Sequence, residues 1–380
     1  MIYFDNAASS WPKPPQVIDA VREALEDSGA NPGRSGHRLA RKAAGHVYEA
    51  RKRLARFIGA EKEERVVFTA NATEALNTAI NGVLKQGDHV VTTVLEHNSM
   101  LRPLYLLKKK GVDVSIVSCD ASGKIRPDQI EHHIKLNTKL VALTHASNVT
   151  GTIQPIAAIA EIARRRGVLL LVDAAQTAGA YPLDVSALGI DMLAMTGHKA
   201  FSGPQGTGAL YVSPGTALLP LKVGGTGSFS ELEQQPEGFP DYLESGTLNG
   251  PGLAGLAAAL EFLEETGLNE IMEHEQLLLS RLVTMLRNIE GVIVYGHQAG
   301  VSHVPVVSFN IHNCDPAEVS FALDRIYDMA VRPGLHCAPL AHKALATYPQ
   351  GTVRASLSYF NTLVEVDNFI EAIEQITHDL

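Results

Sequence analysis

The side chains best suited to chemistry lie in five short segments, each just after a run of strand-forming residues. The segment Thr196-Gly-His198-Lys199-Ala-Phe-Ser-Gly203 sets a lysine between glycines. An amine at a strand's carboxyl end reaches a cleft and suits covalent capture of a carbonyl compound; an ordinary surface turn accommodates the same residues. An apolar run from Val168 ends in Asp173-Ala-Ala-Gln176. Asp173 suits two tasks: keeping a pyridine nitrogen protonated, so that the ring accepts electrons, or capping a helix. Gln176, one turn further, suits a ring hydroxyl. In Arg65-Val-Val-Phe-Thr-Ala-Asn71-Ala72-Thr73-Glu74 a strand turns into a helix. Free N–H groups there, with the Thr73 hydroxyl and the helix dipole, suit a phosphate, and a plain cap needs the same residues. His97, in Glu96-His-Asn-Ser99, offers a flat ring for stacking or for packing. Asn148, in His145-Ala-Ser-Asn-Val-Thr-Gly151, offers a donor to a ring oxygen or a turn. The glycine-rich run Gly203 to Gly208 lacks the Lys-Ser/Thr of a phosphate loop and enters a strand, so it is not one. Each segment is ambiguous alone. Together, five successive strand ends carry an amine, a carboxylate, ring ligands and phosphate ligands.

The elements that must position these residues follow from the hydrophobic pattern. Val17–Leu25 and Arg38–Ile58 read as amphipathic helices, the latter with Leu39, Ala43, Val47 and Leu54 at helical spacing. Strands are expected at 65–69, 89–93, 113–117, 140–144, 168–172, 192–195 and 208–212, with a helix at 73–83 and helical segments between most of the others. Such alternation predicts an α/β architecture, a mostly parallel sheet with helices on both faces. Beyond Pro251 the pattern changes to helices at 253–266 and 269–287, strands at 292–295 and 306–311, a helix at 316–327 and a last one from Val366. This predicts a large domain over residues 15–252 and a smaller α+β domain over 253–380, with residues 1–14 packed near it.

The bulk numbers agree. The 380 residues exceed one domain at roughly 150 residues each, and 45% hydrophobic content suffices for buried cores. A net charge of −9 excludes a general nucleic-acid binder. Three cysteines with no C-x-x-C pair make neither a zinc site nor a disulfide framework, and no metal is expected. Nothing resembles a secretory signal or a membrane span, so the reading is cytoplasmic.

One motif stands apart: Val331-Arg332-Pro-Gly-Leu-His336-Cys337-Ala-Pro339. A cysteine beside a histidine and an arginine, among loop-forming residues, suits a reactive thiolate better than a buried thiol. Arg354, in Val353-Arg-Ala-Ser, suits a substrate carboxylate through its planar fork, or a structural ion pair.

Here the chain resembles a family: the cysteine desulfurases of the class V aminotransferase fold, in their short-loop group of SufS-like and selenocysteine-lyase-like enzymes. The resemblance runs from Tyr3-Phe-Asp-Asn-Ala-Ala-Ser9 through Asn71-Ala-Thr-Glu-Ala75, Glu96-His-Asn-Ser99, Ser147-Asn-Val-Thr-Gly151, Val172-Asp-Ala-Ala-Gln176, Gly197-His-Lys199 and Glu244-Ser-Gly-Thr-Leu-Asn249 to Arg332-x-Gly-x-His-Cys337 and Arg354-Ala-Ser356. It implies the fold type I of pyridoxal-phosphate-dependent transferases, with a seven-stranded sheet. It implies pyridoxal 5′-phosphate as the cofactor, on Lys199 as Schiff-base lysine, with His97 stacked on the ring, Asp173 at its nitrogen, and Gln176 and Asn148 near its phenolic oxygen. Ala72, Thr73, Thr196 and His198 match the phosphate site, and Thr247 a phosphate ligand from the other subunit of a homodimer. Cys337 matches the persulfide-forming nucleophile, Arg354 the carboxylate ligand, and Arg332 and His37 the substrate side. L-Cysteine is the implied substrate, with L-selenocysteine as the alternative and an acceptor protein for sulfur or selenium. A class V aminotransferase or epimerase that ignores sulfur is the further alternative. The chain departs from the usual Thr-Gly-His-His before the cysteine, having Pro333-Gly-Leu335-His336, and is one residue shorter between Cys337 and Leu340.

Overall fold

The computed structural model describes residues 1–32 and 36–379. In chain order the strands are β1 (Ile2–Tyr3), β2 (Val66–Thr69), β3 (His89–Thr93), β4 (Asp113–Val117), β5 (Thr138–Thr144), β6 (Leu169–Asp173), β7 (Met192–Thr196), β8 (Gly208–Val212), β9 (Val292–Tyr295), β10 (Val306–Ile311), β11 (Met329–Ala330), β12 (Arg332–Gly334) and β13 (Thr352–Ser356). The helices are α1 (Pro15–Ser28), α2 (Arg38–Phe57), α3 (Ala72–Val83), α4 (Asn98–Lys108), α5 (Pro127–His133), α6 (Ile156–Arg166), α7 (Val185–Leu188), α8 (Gly250–Thr266), α9 (Leu268–Asn288), α10 (Pro316–Tyr327), α11 (Pro339–Ala344) and α12 (Leu363–Asp379).

A seven-stranded sheet runs β2-β8-β7-β6-β5-β3-β4. The strands from β7 to β4 are parallel, and β8 is antiparallel to both its neighbours. Apolar clusters cover both faces, one around Leu143, Leu170 and Val172, the other around Leu140, Ala142 and Leu171. This two-sided burial is why the strands read as continuous apolar runs rather than alternating ones. The chain goes from β3 outward to β4, then returns to place β5 on the other side of β3. Strand order thus reverses between β3 and β5, and a ligand crevice is expected outside their carboxyl ends.

A second, four-stranded antiparallel sheet, β12-β13-β10-β9, packs against α9, α10 and α12 through Leu282, Phe309, Leu323, Val353 and Phe369. Phe4 joins this core, so the N-terminal segment packs with the C-terminal part. Helix α8 differs from expectation. Its residues Leu253, Leu256, Leu260 and Leu263 are buried in the first core, against the α1–α2 side, because its apolar face matches that surface. Leu39 also differs: it is exposed, and α2 buries Ala40, Ala43, Val47, Ala50 and Leu54 instead. Strands β12 and β13 carry no strong alternating pattern and were not expected. Among the described residues no helix is long and apolar enough to cross a membrane.

Candidate active site

Five loops leave the carboxyl ends of β2, β3, β5, β6 and β7 and enclose a cavity of about 230 Å³. Asn71, Ala72 and Thr73 come from the first, His97 and Ser99 from the second, and Asn148 from the third. Asp173 and Gln176 come from the fourth, and Thr196, His198 and Lys199 from the fifth. Arg332, His336 and Arg354 close it from the second sheet.

Lys199 sits in a turn that leaves little freedom. Gly197 N–H donates to Thr207 O (2.9 Å), Ser202 N–H to Lys199 O (2.7 Å) and Gly203 N–H to Gly197 O (2.8 Å). A Cβ on Gly197 would lie 2.1 Å from Thr207 Oγ1, so the close turn requires glycine. Burial lowers the Lys199 ammonium to about 8, Asp173 opposing the shift while Arg354 and Arg332 reinforce it. A neutral, nucleophilic amine is therefore accessible near neutral pH.

Asp173 is buried, and burial raises its carboxyl above the ordinary range, partly offset by Ala175 N–H and by Lys199. Its Oδ1 accepts from Ala175 N–H at 2.9 Å. Asp173 thus caps a local turn and faces the cavity at once. The helix that a capping role for Asp173 would start does not form: residues 175–180 are turns, and Gly179, at φ +103°, presses on the Ala200–Phe201 backbone where a Cβ would meet atoms at 2.5 Å. Gln176 Nε2 donates to Ala7 O (3.1 Å).

His97 caps α4. Its Nδ1 accepts from Ser99 N–H (3.1 Å), which places the ring proton on Nε2. Burial, then the charges of Lys199 and Arg332, lower its pKa to about 4, so the ring is neutral. On the next helix start, Asn71 caps α3 by accepting from Glu74 N–H (3.0 Å), and Thr73 Oγ1 and Ser99 Oγ pair at 2.7 Å. His198 keeps a buried Nδ1 with no partner among the described residues, and burial lowers its pKa to about 4. A helix N-terminus, hydroxyls and an imidazole nitrogen together suit a phosphate. With a carboxylate for a ring nitrogen, a neutral imidazole and a buried amine, the residues fit pyridoxal 5′-phosphate.

The substrate side is built by register. Arg332 and Arg354 lie directly opposite each other on β12 and β13. Arg354 is 2% exposed; it pairs with Asp5 Oδ1 at 2.8 Å and donates to Asn148 O (3.1 Å), while its buried Nε has no partner among the described residues. The ion pair and the cavity position coexist. Cys337 is exposed in a turn beside this site. His336 and Cys337 both hold left-handed backbone, φ +48° and +56°, which is unfavourable for non-glycine residues. Two hydrogen bonds secure it: Asn148 Nδ2 donates to His336 O (2.7 Å) and Asn98 N–H to Cys337 O (2.7 Å).

Two expected residues lie elsewhere. Thr247 is exposed and its hydroxyl accepts from Asn31 Nδ2 (3.4 Å), away from the cavity. His37 is exposed and caps α2, accepting from Ala40 N–H (3.3 Å); Arg34 and Ser35 beside it lie outside the described residues. Conversely, Asp5, Ser99 and His336 join the site without having been given a role. Their segments were legible as motifs, but only the fold shows that they touch Arg354, His97 and Asn148. Glu96 is fully buried, its Oε2 without a partner among the described residues; burial raises its carboxyl well above the usual range, and Asp173 adds to the shift.

The model of the aminotransferase class-V family matches residues 2–369. A probable cysteine desulfurase of Methanothermobacter thermautotrophicus is 39% identical, the alignment covering 99% of this chain and 94% of that protein. A cysteine desulfurase of Escherichia coli is 34% identical over 99% of this chain and 93% of its own. Among solved structures, the apo cysteine desulfurase of Thermococcus onnurineus superposes with a TM-score of 0.94 at 37% identity, covering 100% of this chain and 95% of that one.

Proposed function

We propose that this chain, a member of the class-V aminotransferase family and a cysteine desulfurase, takes sulfur from L-cysteine, leaving L-alanine and a persulfide on Cys337, with pyridoxal 5′-phosphate carried on Lys199. The observation that carries the reading is the convergence of Lys199, Asp173 and His97 on one cavity with the Cys337 turn docked at its edge. Bound there, the cofactor's protonated ring would accept the electrons of the substrate's Cα–H bond.

The chain's own groups supply the rest. Arg354, with Arg332 opposite, holds the substrate carboxylate. Lys199 Nζ, as a free amine, is the base for the Cα proton. Asp173 would present its charge to the cofactor's ring nitrogen. The Cys337 thiolate attacks the substrate's sulfur; the new S–S bond forms as the Cβ–S bond breaks, the substrate thiol's proton ends on Cβ, and the proton taken by Lys199 returns to Cα to complete alanine. Thr73, Thr196, His198 and the start of α3 at Ala72 hold the phosphate.

Thr247 does not line its own chain's cavity, which supports a homodimer in which it reaches the other copy's phosphate. The exposed Leu219, Leu221, Val223, Phe229 and Leu232 on the preceding segment suit such a contact. Three free cysteines fit a reducing, cytoplasmic setting, and an exposed Cys337 fits hand-over to an acceptor protein. L-Selenocysteine is the second substrate reading, favoured by one observation: Cys337 stands at the cavity's edge rather than in its lining.

Alanine formation from each amino acid, by wild type and Cys337→Ala, tests the assignment. Desulfuration requires that Cys337→Ala lose turnover of cysteine and that the persulfide be found on Cys337 by mass spectrometry. Retained turnover of selenocysteine alone in that variant selects the second reading. No alanine from either substrate by cofactor-loaded wild type refutes both.

A further inference from the structure

We propose that Lys13 is a positioning residue for Lys199: its ammonium grips the carbonyl of the His198–Lys199 peptide and so sets the direction in which Lys199 enters the cavity. The inference rests on the reading of Lys199 as the cofactor lysine.

The His198 carbonyl oxygen collects donors from a single stretch of the N-terminal segment. Ser10 N–H lies at 2.9 Å, Lys13 Nζ at 3.1 Å, Ser10 Oγ at 3.2 Å and Ser9 Oγ at 3.3 Å. A carbonyl has two lone pairs, so the two shortest contacts, the Ser10 amide and the Lys13 ammonium, saturate it. The Ser10 hydroxyl has its own task, accepting from Lys13 Nζ at 2.7 Å. Lys13 is half-buried, and its recorded partners among the described residues are these two oxygens, neither of them a carboxylate. Burial alone lowers its ammonium to about 8. Keeping a desolvated cation without a counter-charge is unfavourable unless its hydrogen bonds are needed.

The grip acts through a rigid unit. The peptide plane carries the His198 carbonyl and the Lys199 N–H together, so fixing the oxygen fixes the N–Cα bond of Lys199. The opposite side of the turn is held by Ser202 and Gly203. The N-terminal segment is itself anchored on the second sheet, where Ser356 N–H donates to Phe4 O (2.7 Å) and Ala7 N–H to Ser356 Oγ (2.9 Å). Asp5 of the same segment holds Arg354. One segment therefore references both the amine and the carboxylate clamp to a common frame. Lys13 touches neither cofactor site nor substrate site, which makes it a positioning residue.

The experiment mixes cofactor-free protein with pyridoxal 5′-phosphate and follows the visible absorbance of the Lys199-bound cofactor. Thermal unfolding of the cofactor-free proteins runs in parallel. Lys13→Met is expected to slow capture about tenfold, the scale of one charge-assisted hydrogen bond that favours a single orientation. In the loaded enzyme kcat falls while KM for cysteine holds. Lys13→Arg restores capture, and Lys13→Gln, which keeps a donor without charge, falls between. Ser10→Ala, which leaves the Ser10 amide in place, captures at the wild-type rate. Lys13→Met or Lys13→Gln capturing at the wild-type rate, with only the unfolding temperature lowered, would overturn the inference and leave Lys13 a structural residue. Absence of captured absorbance in wild type, or its survival in Lys199→Ala, would instead sink the cofactor reading beneath it.

Discussion

Glu275, on α9, is the clearest place to test the electrostatics of this fold. It lines a second, small cavity behind Lys199, among Phe262, Leu263, Ile271, Val304 and Val306, and is 6% exposed. Its carboxyl accepts one backbone N–H, from Tyr359, and burial raises its pKa from 4.5 to about 8. The folded state thus binds a proton that the unfolded chain releases between these values. The stabilising contribution is fully present below pH 4.5 and is lost as pH rises through 8. At about 1.4 kcal/mol per pKa unit the loss is at most about 5 kcal/mol. Glu275→Gln keeps the shape and an acceptor for Tyr359 but cannot ionise. The variant should match wild type in urea unfolding near pH 4.5 and exceed it by several kcal/mol at pH 9, where wild type must either ionise a buried carboxyl or unfold. An advantage of equal size at both pH values would show that shape, not charge, was at stake. No advantage at pH 9 would mean that Glu275 is solvated, and the argument from burial would fail.

Other expectations follow from the same reasoning. Capture of pyridoxal 5′-phosphate by the cofactor-free protein requires the neutral Lys199 amine, so its rate should rise about tenfold per pH unit up to about 8 and then level off; a rate still rising to pH 10 would indicate an ordinary lysine. Arg51→Met should destabilise by about 3–5 kcal/mol, because it strands the buried Glu244 carboxylate that Arg51 meets at 2.7 Å and that also accepts from Phe68 N–H. Adding Glu244→Gln should recover most of that loss in thermal unfolding. Gly208→Ala would press a Cβ to 2.6 Å from Asn71 Cα. It should disturb the start of α3 and weaken pyridoxal 5′-phosphate binding by about 1–3 kcal/mol, read by equilibrium titration, while far-UV circular dichroism stays unchanged.

Much of the fold was legible because burial on both faces writes strands as apolar runs. The strand at 208–212 and the helix at 316–327 fall where the pattern puts them, the latter because Pro316 sits in the first turn after the Asp315 cap. The stretch after Asp173 was not legible. Its composition favours a helix, and a close approach of Gly179 to the Lys199 turn overrides that preference. Strands β12 and β13 were hidden for another reason: the three residues of β12, one of them proline, carry no usable period, β13 is buried along its whole length, and pairing of β13 with β12 and β10 supplies the conformation.

Residue type and order alone determined which groups this protein brings to its chemistry: an amine, a carboxylate, an imidazole, a helix start and a loop cysteine, in motifs that mark the family. Those are local properties, written in short segments. What the tertiary structure decided is which groups meet. It put Arg332 opposite Arg354 by strand register, tied Arg354 to Asp5 across the chain and the Cys337 turn to Asn148, and left Thr247 outside its own chain's cavity. Each of these pairings joins residues far apart in sequence, and their distances depend on how two sheets and an N-terminal segment pack together, which no single segment encodes.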